Sequence, residues 1–159
     1  MIYRDTDELQ TDINSVMTAC QKPGPAVQAE ITSILWALTK IALFIECAEP
    51  SLDDEEYEGL IPESDFQATK KLIETRFPNW GRYNQCYDIS INIADTSVVV
   101  GVATDDLTGI VCDLIQVLWV FDNQSPANAI WHLHDSYMFN WREHLLNLKL
   151  FEHARFNER

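Results

Sequence analysis

A chain of 159 residues is the size of one domain, and about 70% of its unfolded surface can be buried without a disulfide or metal staple. Apolar residues make up 47% and aromatic residues 11%, which excludes a disordered chain. The net charge of -14 repels phosphate backbones and anionic headgroups, so nucleic acid and membrane partners are not expected.

The first predicted element is a helix over residues 5–20, where Leu9, Ile13, Val16, Met17 and Cys20 recur at spacings of three and four. Lys22-Pro23-Gly24-Pro25 stops it. The start, MIYRDTDEL, has neither the basic nor the apolar region of a secretory leader, and the cytoplasm is the expected compartment. Over 26–48, Val27, Ile31, Ile34, Leu35, Leu38, Ile41, Ala42 and Ile45 share one face of a core helix. Trp36 and Leu43 fall on a second face, which predicts cover on two sides. Lys40 interrupts the apolar stretch 31–45, which is also too short to span a bilayer.

An acidic stretch follows: Glu46, Glu49, Asp53, Asp54, Glu55, Glu56, Glu58, Glu63 and Asp65, with no Lys or Arg between them. Pro50, Gly59 and Pro62 mark it as a loop. The simplest account is a solvated loop. The functional account is a docking surface formed by Asp53, Asp54, Glu55, Glu56 and Glu58 for a protein partner with a basic surface. A third helix starts at Glu63 or Ser64 and aligns Phe66, Thr69, Ile73 and Phe77, with Lys70, Lys71 and Arg76 on its other side. That basic cluster is placed to neutralise part of the acidic loop.

Between Tyr83 and Thr104 the period changes. Ile89, Ile91 and Ile93 alternate with polar or small residues, and 97–103 is β-branched. The segment 86–103 therefore reads either as a small hairpin turning at 94–96 or as an extended excursion. Thr104 is placed to cap a fourth helix with Asp105 and Asp106 in its first turn and an apolar face of Leu107, Ile110, Val111, Leu114, Val117, Leu118 and Phe121. Ser125-Pro126 starts the last helix, on which Ile130, Leu133, Tyr137, Trp141, His144, Leu148 and Phe151 recur. The short connection predicts two antiparallel neighbours. The whole is an all-α, single-domain helical bundle of about five main helices over 1–159.

Chemistry is sparse. Cys20, Cys47, Cys86 and Cys112 show no C-x-x-C pair and read as buried reduced thiols. No nucleophile elbow or Gly-rich phosphate loop is visible, so no cofactor is expected. One polar cluster stands out: Asp106 and Asp113, two helical turns apart, with His144, Trp141 and Tyr83. The simplest account is a structural Asp–His tie. No Glu-x-x-His pair supports a metal there, and none is expected. Counting from Gln124, Asp106 lies 18 residues before the turn and His144 lies 20 after it, so Asp106 rather than Asp113 should meet the imidazole. Asp113 should lie level with residues 135–137.

Tyr83, then Tyr87 and Asp88, lead into the Asp-Asp-Leu helix with Asp105, Asp106, Leu107, Ile110, Asp113 and Leu114, and Phe139, Trp141 and His144 close the pattern. In these motifs the chain resembles a family of uncharacterised bacterial helical domains, catalogued as a domain of unknown function. The likeness extends along most of the chain and implies an all-α fold and no activity. Gly109 and Val111 stand where that family usually has Asp and Tyr, and Asn140 and Arg142 where it usually has His and Gly. A polar site built from those positions would be incomplete in this chain. The first expectation for function is a non-enzymatic interaction module with an acidic surface, in the manner of an adaptor or immunity protein. The alternative is a metal- or small-ligand-binding enzyme centred on Asp106, Asp113 and His144.

Overall fold

Local signals place the helix starts. The structure, a computed structural model, describes residue 3 and residues 5–50, 60–86 and 88–157; Asp53, Asp54, Glu55, Glu56, Glu58 and Tyr87 lie outside them. Helix α1 (Thr6–Gln21) begins where the Asp5 carboxylate accepts the Glu8 N–H at 2.9 Å, and it buries the predicted stripe from Leu9 to Cys20. Helix α2 (Gln28–Cys47) turns Ile31, Ile34, Leu38, Ile41 and Ile45 inward. Helix α3 (Phe66–Arg76) is capped by Asp65, which accepts from Ala68 N at 3.0 Å. Helix α4 (Ala103–Asn123) leads through one turn into α5 (Pro126–Ser136), with Ser125 as cap and Pro126 as first helical residue. A π-helical turn (Tyr137–Trp141) and α6 (Arg142–Asn157) continue α5 without a break, because Ser136 and Arg142 keep right-handed helical dihedrals. Among the described residues five helices are thus present, the last interrupted by a π turn.

Helix α4 is the centre. It packs against α1, α3, α5, the π turn and α6, and it buries Leu107, Ile110, Leu114 and Val117 completely. Each such side chain contributes about 1.5–3 kcal/mol of burial. The apolar stripes of α1 and α2, with Phe77, Trp80, Leu133, Tyr137, Trp141 and Leu148, complete one core.

Several expectations are corrected. A hairpin exists, but its first strand is β1 (Arg82–Cys86), paired antiparallel with β2 (Val98–Val102) in the register Tyr83↔Gly101. Ile89, Ile91 and Ile93 lie exposed in the connection, which turns through positive φ at Asn92 and Ala94. Alternation alone did not make them a strand because no packed face lies beneath them. Helix α4 starts directly from β2 at Ala103, so Thr104 is buried in the first turn rather than capping it, and its carbonyl accepts the Thr108 hydroxyl at 2.6 Å.

The second face of α2 is uncovered, since Trp36 is 70% exposed and Leu43 is exposed too. The acidic loop at 51–59 lies outside the described residues, and among those described Lys70 and Arg76 have other partners. Lys70 pairs with Asp105 at 2.7 Å. Arg76 is 3% exposed and ties three segments together, reaching Ala19 O at 3.0 Å, Gly24 O at 2.8 Å and the Glu30 carboxylate at 2.7 Å. The thiols are free, but only Cys20 and Cys112 are buried; Cys47 and Cys86 are exposed. Among the described residues no helix is long and apolar enough to cross a membrane.

Candidate functional site

The antiparallel register of α4 against the last helix brings Asp106 and His144 to one height, and His144 Nδ1 lies 2.7 Å from Asp106 Oδ1. The other carboxylate oxygen accepts the Tyr83 hydroxyl. Tyr83 reaches it because β1 faces this residue inward and because its cross-strand neighbour is Gly101. A Cβ on Gly101 would stand 2.6 Å from the Tyr83 hydroxyl oxygen, closer than real Cβ contacts come. A glycine within a run of valines is the mark of such a close approach.

The relay has a direction. Asp106 is nearly buried, with 9% of its side chain exposed, whereas 33% of the His144 side chain is exposed. The hydrogen bond donated to Asp106 holds the His144 pKa above its ordinary value despite the opposing effect of burial. Burial, then the bond to Asp106, raises Tyr83 as well, so the phenol stays protonated. An imidazole that donates Nδ1–H to a buried carboxylate presents Nε2 as its free acceptor.

His144 was expected in the middle of the apolar stripe; it lies at the border, and Leu145 takes the buried place. The π turn explains this. Buried Leu133, Tyr137, Trp141 and Leu145 follow at spacings of four, so the run covers 12 residues where three α turns take about 11. The π turn absorbs the surplus residue and keeps all four on the core.

Asp105, Gly109, Cys112 and Asp113 on α4, Ser64 and Phe66 at the start of α3, and Asn140 and His144 on the last helix line an open cleft of about 450 Å³. At Gly109 an added Cβ would lie 3.6 Å from His144 Cδ2 and Nε2, so this edge of the ring borders the cleft wall left free by the glycine. Asn140 Nδ2 donates to Asp113 Oδ2 at 2.7 Å. Burial pushes the Asp113 carboxyl up from 3.8 to about 6, against smaller lowering effects of Asn140 and His144. Asp113 was expected level with 135–137 and instead meets Asn140. Side chains lean toward their own helix N-terminus, so on antiparallel helices the two leans add, and the π turn draws Asn140 closer still.

Tyr83, Asp106 and His144 are therefore brought together, and Asp113 joins His144 in the cleft. Trp141 does not. Its indole is fully buried, donates to Ser136 Oγ at 3.3 Å and packs edge-on against Tyr137. Gly101 was not read as a site residue, a glycine among valines being its one visible signal, and Gly109 and Asn140 were marked only as departures from the family's pattern. Among the described residues no group of three His, Cys, Asp or Glu is placed to hold a metal ion.

Fold and site define a class: a helical bundle whose central helix carries a buried carboxylate that orients a histidine at the rim of a cleft. The chain belongs to a family defined by a domain of unknown function, DUF5063, whose family model matches residues 21–151. No curated protein and no solved structure matches it.

Proposed function

We propose that the protein binds a small polar molecule in this cleft and exchanges a proton with it at His144 Nε2. The observation that carries the reading is the Tyr83–Asp106–His144 relay ending at the cleft wall. Such outer partners hold a histidine in one tautomer and raise its basicity, which is how histidines serve as bases. Asp113 supplies a second group that changes charge near neutrality. With Asp113 and Glu63 on the lining, Asp105 paired with Lys70, and no Lys or Arg among the described lining residues, the preferred ligand is a hydrogen-bond donor or an organic cation.

The test is an NMR titration with ethanolamine and putrescine as probes, observing the His144 ring and the Asn140 side-chain amide. Saturable shifts at both, absent in His144→Ala, support the reading. No shift with either probe, or unchanged shifts at Asn140 in the variant, counts against it.

The net charge of -14 favours a second reading, an interaction module for a basic protein surface through the acidic run at 53–58. Exposed charges are screened within about 8–10 Å at moderate salt, so binding of such a partner should weaken sharply as salt rises. A salt-indifferent partner would speak against it.

A further inference from the structure

A second cavity, of about 460 Å³, lies between α2 and α6 and shares no lining residue with the His144 cleft. We propose that it binds a small carboxylate with a flat apolar body, the rings of Trp36 and Phe156 lying against the body and Lys149 holding the carboxylate. The walls are unusual in their exposure. Trp36 is 70% and Phe156 57% exposed, with Leu35 between α2 and the core as the apolar floor. Small-ligand sites of this size combine an apolar wall with a few convergent polar groups.

The sign of the polar end follows from the hydrogen bonds already made. Glu152 is buried and both its oxygens are taken, one by the Gln28 amide at 3.2 Å and the other by Arg155 at 2.7 Å. Its charge is already met by Arg155. The hydroxyls of Thr32 and Thr39 donate to their own helix, to Gln28 O at 3.0 Å and Leu35 O at 2.7 Å. On α6, His153 Nε2 accepts from the Asn157 amide at 3.1 Å, which leaves the ring proton on Nδ1 as a donor. Lys149 makes no ion pair among the described residues, in a molecule of net charge -14. Lys149 is thus the one lining cation without an ion pair among the described residues, and with His153, four residues on along the same face of α6, it presents two donors that suit the two oxygens of a carboxylate.

Three naphthalene probes of one shape separate the possibilities: naphthalene-2-carboxylate, naphthalene-2-carboxamide and 2-naphthylmethylammonium, titrated while the Trp36 indole resonance is observed. The carboxylate should bind about tenfold more tightly than the amide and the ammonium most weakly. Lys149→Glu should erase the preference for the carboxylate, and Trp36→Ala, followed at the side-chain amide of Gln28 on the same wall, should weaken all three. Both positions are exposed, so the variants keep the fold, which circular dichroism checks. An ammonium that binds as well as the carboxylate, carboxylate binding unchanged in both variants, or no response at Trp36 overturns the proposal.

Discussion

Asp113 is an acid whose ionisation the fold resists. Its pKa rises from 3.8 to about 6, so the native state holds the proton more tightly than the unfolded chain does. The stability this provides is complete below about pH 4 and is lost as pH rises through about 6. The rise corresponds to about 3 kcal/mol, and solvent at the open cleft reduces it to about 1–2 kcal/mol. Asp113→Asn should therefore stabilise the protein by about 1–2 kcal/mol at pH 8 and flatten its stability between pH 4 and 6, read by urea denaturation. A variant less stable at pH 8 would contradict this. His144 acts in the same sense at higher pH: its raised pKa favours the native state below the unfolded value of 6.5, and that share fades as pH climbs through the folded value.

Two further residues carry sharp expectations. Gly101→Ala puts a methyl group into the Tyr83 ring, so the phenol should leave Asp106 while β2, at the surface, stays folded. The check is the His144 pKa, which should shift in Gly101→Ala although that residue lies on another element. Arg76→Ala should cost about 2–4 kcal/mol by thermal or urea unfolding, because it removes a buried side chain, leaves the Ala19 and Gly24 carbonyls without their donor and strips Glu30 of one of its two cations, Lys22 being the other. Arg76→Lys should rescue little, since one ammonium cannot span the three acceptors.

At the scale of elements, legibility followed packing. The stripes of α1, α2 and α4 were readable because each apolar face meets a neighbour, and Asp5 and Ser125 stand at the starts of their helices, whereas α3 is capped by Asp65 rather than starting at Glu63 or Ser64. The π turn was readable in principle from the repeated spacing of four around Tyr137 and Trp141. A count by threes and fours ran past it and put His144 one place too deep. The hairpin was half readable: β-branching marks β2, but Arg82–Cys86 carries no strand signature and is held by its partner and by Ala103 N–H on Gly81 O at 3.0 Å. The isoleucines between the strands make a simple test. Replacing Ile89, Ile91 and Ile93 together by Ser should change stability by less than about 1 kcal/mol, as expected for exposed positions. A loss of several kcal/mol would mean that they pack.

For the whole molecule, the long-range content of the site lay in topology. The height count on α4 and the last helix paired Asp106 with His144, because rise per residue is a property of any α-helix. It could not show that Tyr83, 23 residues upstream of Asp106, closes the relay, since that depends on the register Tyr83↔Gly101. The cleft likewise needs three elements at once. The central claim is that this relay holds His144 with its proton on Nδ1 and its free nitrogen toward the cleft. Long-range nitrogen–proton NMR of His144 across pH, in the native chain and in Asp106→Asn, measures it most directly. The account predicts a neutral Nδ1–H tautomer and a pKa above that of a free histidine, which falls when Asp106 becomes Asn. An Nε2–H tautomer, or a titration that Asp106→Asn leaves unchanged, would contradict it.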